Sequence, residues 1–344
     1  MQKPELLSKQ AVQSPAHLVD EMSRLYYLSR AIHVAAELGI ADKIAADPVA
    51  IDILAETTNT NAPYLKRLVL FLSGYGIFVE TARGDIAHTE LSLVLRSDHP
   101  NSVCSSLRRV GDYWWSAIGH MDHSIRNGES AFTHTHGVPF FQYLKSHQDI
   151  QQRFDVAMAE RSDADDAAVA EAYDFKRFRR IVDIGGGRGG LLVQILRRAP
   201  AAIGVLYEQP QVLERANRLK EAGLGDRAEH LGGDFFESVP ARCDCYVIKG
   251  VLHDFNDDDC VKILKNCCRA MTEDGRVVIA NLDLPAQIDG PHPSRTMDIQ
   301  MMMLLRGRER SFAEWSILFQ RSGLIPGGTF QTSAGFVLVE GRRN

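Results

Sequence analysis

Apolar side chains recur at three- and four-residue spacing through residues 18–37, LVDEMSRLYYLSRAIHVAAE, on residues that favour helix, and the following LGIAD stops the run. This spacing predicts an amphipathic helix. Residues 51–95 read as helix, turn, helix and then two short strands joined at Arg83-Gly84-Asp85, the outline of a winged helix. Helical spacing returns from about 100 to 172 and carries an aromatic-rich patch between Tyr113 and Tyr143. The texture changes near residue 176. From there short β-branched runs (RIVDIG, AIGVLYE, AEHLGGDFF, CDCYVIKG, RVVIANLDL) alternate with helical stretches at about 189–198, 210–222 and 257–271. Such alternation predicts an α/β fold of right-handed β-α-β units, a doubly wound parallel sheet with helices on both faces. Chemistry in such sheets gathers at the carboxyl ends of the strands. The expected division is 1–100, a helical and winged-helix domain; 101–175, a helical linker that walls a pocket; and 176–344, the α/β domain.

Composition narrows the classes. A chain of 344 residues suggests about two domains, and its 45% hydrophobic and 24% charged content is that of a globular protein rather than a disordered or fibrous one. Apolar runs such as LYYL and MMMLL fall far short of the ~20 residues that cross a bilayer, so no transmembrane helix is expected. The stretch MQKPELLSKQAVQSPAH has no apolar core of a secretory signal, and six cysteines without a C-x-x-C pair read as reduced thiols. Both point to the cytoplasm. A net charge of −5 argues against a nucleic-acid surface. The helix of APYLKRLVLFLSGYG carries only Lys66 and Arg67 among large apolar residues, which does not suit a DNA-reading helix. His134 and His136 in THTHG lack a partner at ligand spacing, so no metal is expected.

The stretch IVDIGGGRGG, 181–190, sits where a strand hands over to a helix. Glycines there let backbone approach a ligand, and the helix start offers unpaired N–H groups. Two fingerprints fit. As G-x-G-x-x-G it is Gly185, Gly187 and Gly190, with Glu208 placed to hold a ribose as in a dinucleotide fold. As D-x-G-x-G-x-G it is Asp183, Gly185, Gly187 and Gly189, with an acid placed for the amino group of S-adenosylmethionine. Glu208 closes the second strand and can take both ribose hydroxyls; Asp234 closes the third, placed to accept the adenine amino group while Phe235 packs on the ring. Either acid could instead cap a helix, but together they describe one nucleoside site.

With these motifs the chain resembles the S-adenosylmethionine-dependent small-molecule O-methyltransferases of the caffeate and hydroxyindole type, bacterial natural-product and phenazine enzymes included. The likeness runs from AAELGIADKI and LKRLVLFLSGYGIF through VDIGGGRGG, GDFFESVP and YVIKGVLHDFNDDDCVKIL to GRERSFAEW. It implies an N-terminal helical and winged-helix domain that forms a homodimer, then a Rossmann-like methyltransferase domain. His253 matches the family's general base, and an unperturbed imidazole, with pKa ~6.5, suits that work. Adjacent Asp254 could orient the cofactor or the imidazole, or cap a helix. Lys249 matches a cofactor contact. Of two glutamates that flank the family's histidine, Glu309 matches one, and Asn281 stands where the other would be. Trp115, Met158, Asp298, Met301 and Met302 match stretches that wall the acceptor site, suited to a flat aromatic ring or equally to plain core packing. An amide cannot stabilise an imidazolium as a carboxylate does, so the base is expected to be weaker and the acceptor more acidic. The same substitution leaves open N-methylation, or a homologue whose chemistry is hydroxylation, decarboxylation or a pericyclic step.

Overall fold

The computed structural model describes residues 14–285, 287 and 290–343. They fall into two compact units, one of residues through Asp112 with Gln152–Ala157, the other of Tyr113–Gln151 with the chain from Met158 onward. Among the described residues no helix is long and apolar enough to cross a membrane.

In the first unit the helix expected over 18–37 is two helices, Pro15–Ser23 and Leu25–Glu37. At Arg24 the ladder tightens to three-residue bonds, Arg24 N–H to the Glu21 carbonyl and Tyr27 N–H to that of Arg24, which bends the chain without breaking the apolar stripe. The winged helix follows as expected. Helix Ile51–Thr57 leads into Ala62–Ser73, which is capped by the Asn61 side chain on the Tyr64 N–H. The wing pairs β1 (Phe78–Glu80) with antiparallel β2 (Ile86–His88), and Gly84 turns at φ +86°. Leu65, Val69 and Leu72 of the second helix are buried against Leu28, Leu54 and Ile86, so the face a DNA reader would present lies in the core.

The second unit is built on seven strands, β3 (Arg180–Ile184), β4 (Ile203–Glu208), β5 (Ala228–Gly232), β6 (Cys245–Lys249), β7 (Arg276–Leu282), β8 (Leu324–Gln331) and β9 (Phe336–Arg343). Their order is β5-β4-β3-β6-β7-β9-β8. The strands from β5 to β7 are parallel as the alternation predicts, but β9 runs antiparallel to both β7 and β8, so the sheet is mixed rather than all parallel. Pro326-Gly327-Gly328 interrupts β8 and hides its period-two pattern. The helix expected over 210–222 is likewise two short turns, Pro210–Leu213 and Arg218–Glu221.

Alternate residues of each strand feed opposite layers. Val182, Ile184, Val205, Ile248 and Ile279 pack with Trp315 and Phe319 on one side, and Ile181, Leu206, Val247 and Val278 pack with Leu192 and Ile195 on the other. Along β3, β4 and β6 both faces are apolar, and their acids and lysine fall at or near the carboxyl ends. The chain leaves β3 toward β4 and β5, then returns to the opposite side for β6 and β7. A crevice therefore opens beyond the carboxyl ends of β3 and β6. Trp315→Ala, at a site with no exposure, is expected to cost about 3–5 kcal/mol, read as a lower denaturant midpoint with an unchanged slope.

Candidate active site

Four strand ends meet at this crevice. Beyond β3, Gly185, Gly187 and Gly189 take φ of +67°, +56° and +87°, a left-handed backbone that side chains avoid, so all three positions need glycine. A side chain on Gly187 would meet nothing within 4 Å, so the loop presents an open face. Glu208, at the end of β4, steadies it by accepting the N–H of Gly187 at 3.1 Å and of Gln209 at 2.7 Å. Beneath the loop lies Asp183, 1% exposed, its Oδ2 without a hydrogen-bond partner. A Cβ on Gly186 would stand 2.4 Å from that oxygen, so only glycine fits over it. Burial pushes the Asp183 carboxyl up to about 8, the charges of Asp166 and Glu208 add to the rise, and Lys249 opposes it.

Lys249, expected to contact the cofactor, has its Nζ 2.5 Å from Oδ1 of Asp166, and both side chains are buried. Asp166 comes from the helix Gln148–Ala172 and is the site residue that sequence reasoning missed. It sits in an acidic run that reads as solvated, yet buried Val169 and Ala170 follow at three and four residues, the spacing of one buried face. Asp234, expected to meet adenine, accepts the Phe236 N–H at 2.8 Å through Oδ1 and so also caps its own turn. Phe235 stacks within a trio with Phe236 and Phe255, with ring centroids 5.1 and 5.8 Å away.

Past β6 the chain turns at Gly250, φ +60°, into a single 3-10 turn, Leu252–Asp254, that carries His253. His253 Nδ1 lies 2.6 Å from Oε1 of Glu309, whose side chain is fully buried. The carboxylate assigns the ring proton to Nδ1 and leaves Nε2 to accept. Nε2 lies 3.5 Å from Oδ1 of Asp254. Burial lifts the Asp254 carboxyl to about 6, with His253 opposing and Glu309 adding. The Glu309 carboxylate receives the Asn281 amide at 3.4 Å, and Asn281 Oδ1 is buried with no hydrogen-bond partner. Asp298, expected at the acceptor wall, accepts the Glu309 N–H at 2.9 Å through its Oδ1.

The turn that carries His253 is clamped from behind. Arg310, 1% exposed, donates to the carbonyls of Leu252 at 3.1 Å and Phe255 at 2.8 Å, pairs with Asp257 at 2.8 Å, and stacks over Trp315. Arg308 donates its N–H to the His253 carbonyl at 2.9 Å. Gly307 has no room for a side chain, because a Cβ there would lie 1.9 Å from that same carbonyl oxygen.

A cavity of about 580 Å³ opens beside Asp254, walled by Phe140, Phe141, Phe255, Leu304 and Leu305. Trp115, Met158, Asp298, Met301 and Met302 do not line it. Met301 is buried, while Trp115, Met158 and Met302 are half-buried. His134 stacks on His123 at 3.8 Å and His136 Nε2 lies 2.7 Å from the Tyr113 carbonyl oxygen. Among the described residues no three His, Cys, Asp or Glu converge on a metal site.

A glycine loop over a buried acid after β3, a carboxylate at the end of β4 and a carboxylate-held imidazole past β6 are the features by which this site resembles those of S-adenosylmethionine-dependent methyltransferases. Two family matches agree, an O-methyltransferase domain over residues 118–325 and an O-methyltransferase dimerisation domain over 21–97. The chain belongs to this O-methyltransferase family. It is 39% identical to the phenazine O-methyltransferase PhzM of Lysobacter antibioticus, over 92% of this chain and 93% of that one. It is 37% identical to the mitomycin biosynthesis 6-O-methyltransferase of Streptomyces lavendulae over 99% of both. A third relative, 32% identical over 86% of this chain and 80% of its own, is the aclacinomycin 10-hydroxylase RdmB of Streptomyces purpurascens. Among solved structures, the O-methyltransferase NcsB1 from neocarzinostatin biosynthesis, in complex with S-adenosylmethionine and 2-hydroxy-5-methyl naphthoic acid, superposes with a TM-score of 0.85 at 30% identity, covering 92% of this chain and 96% of that one.

Gly307→Ala forces the His253 turn to shift by an ångström or more and is expected to lower kcat about 100-fold with S-adenosylmethionine affinity held within about twofold. Steady-state turnover against calorimetric binding checks the split.

Proposed function

We propose that this enzyme methylates an acidic hydroxyl on a flat aromatic or heteroaromatic natural product, phenazine-like or polyketide-derived, with His253 as general base. The observation that carries the reading is the 2.6 Å contact of Glu309 with His253 Nδ1, in a site where an amide, Asn281, stands beside that carboxylate. One buried carboxylate holds the ring and supports its protonated form. Asp254 lies 3.5 Å from Nε2, and on the Glu309 side Asn281 adds an amide rather than a further charge that would raise the ring's basicity. The base is therefore matched to a proton that leaves readily, such as that of a hydroxyl in conjugation with a carbonyl or a ring nitrogen.

The residues fit the cofactor. Glu208 is placed for the ribose hydroxyls, Asp234 and Phe235 for adenine, and the glycine loop with Asp183 for the amino-acid end, where the unpartnered Asp183 Oδ2 awaits a donor. When bound, the cofactor supplies an electrophilic methyl on a sulfonium. The chain's own part is to align the acceptor oxygen with that methyl and to take the proton at His253 Nε2. Alignment supplies much of the rate in a displacement of this kind, up to ~7–11 kcal/mol. Within the first unit Val19, Met22, Tyr26 and Tyr27 are exposed on the two leading helices, an apolar surface of the kind a homodimer buries. The family's dimerisation domain over 21–97 supports that state.

A second reading follows from Asn281 together with the hydroxylase among the relatives: the same fold with the cofactor as a scaffold and no methyl transfer. Methyl-labelled cofactor incubated with hydroxylated aromatic acids and phenazines separates the two, since label on product excludes this second reading.

His253→Ala is expected to reduce turnover at least about 1,000-fold with cofactor affinity unchanged, because a general base acts in the transition state. Wild-type turnover in that variant would show an acceptor that arrives already ionised. Asn281→Glu is expected to quicken phenols of ordinary acidity by about tenfold and to leave acidic hydroxyls unaffected; comparison of rates across acceptors of graded pKa tests this.

A further inference from the structure

The cavity beside Asp254 has an apolar body and a charged rim. Phe140, Phe141, Phe255, Leu304 and Leu305 supply the body, and a volume of about 580 Å³ is that of a small-molecule site. Four titratable residues share the lining, and three of them have partners in the protein. Glu129 stands 3.3 Å from His123 Nε2, His134 stacks on His123 with ring centroids 3.8 Å apart, and Asp254 stands 3.5 Å from His253 Nε2. The fourth, Arg306, is exposed, and among the described residues no carboxylate or other acceptor holds its guanidinium. Its backbone is unusual as well. The φ of +63° is left-handed, which is uncommon for a residue with a side chain. It falls where the helix Pro293–Leu304 ends and the Gly307 N–H returns to the Met301 carbonyl at 3.3 Å, a position where glycine is the usual residue. A side chain kept against the preference of its backbone and left without a partner marks a place where a ligand can supply one. The same loop reaches the proposed base, since Gly307 lies against the His253 carbonyl and the Arg308 N–H donates to it at 2.9 Å.

We propose that Arg306 selects the acceptor by a carboxylate: the aromatic body lies among the phenylalanine and leucine side chains, and an ionised carboxyl group on it pairs with the guanidinium at the rim. The inference rests on the acceptor reading given above and deepens it, because Asp254 both lines the cavity and stands beside His253 Nε2. A planar guanidinium offers a carboxylate two parallel N–H donors, a fit that a hydroxyl or an amide does not match. One such cation, on a wall that also carries Glu129 and Asp254, offsets a single negative charge, which suits a carboxylate and not a phosphate. Arg306 meets the acceptor away from the reacting oxygen. It is a specificity-determining residue, and its contribution is to binding, in the ground state and the transition state alike.

Calorimetry of the full chain in the presence of S-adenosylhomocysteine, with hydroxynaphthoic and hydroxyphenazine carboxylic acids each set against its own carboxamide, reads the preference. The acids are expected to bind about tenfold more tightly than their carboxamides and to weaken as salt is added, since the pair forms at an exposed rim. Arg306→Gly suits the left-handed backbone and so keeps the fold; it is expected to weaken the acids about tenfold and to leave them no tighter than their carboxamides. Arg306→Lys, which keeps the charge without the fork, is expected to retain part of the preference. The proposal is overturned if no acid binds more tightly than its carboxamide, or if the preference survives in Arg306→Gly. A preference that Arg306→Gly removes, accompanied by no transfer of label from methyl-labelled cofactor to any of the acids, leaves the carboxylate clamp standing and overturns the methyl-transfer reading instead, so the two failures are distinct.

Discussion

A carboxylate with no exposure, such as that of Glu309, is stable only if what it touches repays the loss of water. Here the partners are the His253 ring at 2.6 Å and the Asn281 amide at 3.4 Å, while Asp298 fixes the backbone N–H. The dependence runs both ways. Glu309 needs a donor, and its carboxylate in turn fixes the ring proton on Nδ1. The rest of the second unit can be read as the means of keeping those two side chains in register. Buried Arg310 straps the carbonyls on either side of His253, and Gly307 allows the backbone of the strap to lie against the turn it holds. Removal of one partner of such a buried set leaves the others unsatisfied, so the cluster behaves as a unit.

The same topology explains why acids collect at the neighbouring strand ends. Both faces of the sheet are packed with apolar side chains, so polar chemistry has only the tips of β3, β4 and β6 to occupy. Burial there, rather than the chain's modest overall charge, sets the electrostatics of Asp183, whose carboxyl it pushes up.

Much of this was legible in the sequence because it lies in local patterns. The winged helix, the strands from β3 to β7 and the glycine loop each carry a periodicity or a spacing that a single stretch displays. His253, Glu309 and Asn281 were found through motifs, though their convergence is a property of the fold. What escaped had no local signal. The β8–β9 hairpin is masked by Pro326-Gly327-Gly328, and the break at Arg24 preserves the apolar stripe it interrupts. Asp166 lies in an acidic stretch, where the apolar spacing with Val169 and Ala170 is a weak signal and the partner Lys249 is 83 residues away in the chain. Asp298 was expected at the acceptor wall from its match to the family, and its hydrogen bond to the Glu309 N–H, eleven residues on in another segment, had no local signal.

Lys249 and His253 stand four residues apart, on either side of the left-handed turn at Gly250, so a single connection serves both the cofactor side and the acceptor side. A substituted glycine at that turn would alter the angle between them. The arrangement also limits the electrostatic work of the reaction. In the proposed reaction the proton taken at His253 would put a positive charge on the imidazole as the cofactor's sulfur loses one, so the sum within the crevice would be unchanged. Each carboxyl group serves one of these two positions: Glu309 lies against the ring, and Asp183 lies beneath the loop. A site that only bound the cation could place all its acids at one end. A division of acids between two ends, joined by four residues of one strand and its turn, is what a charge that moves from one end to the other requires.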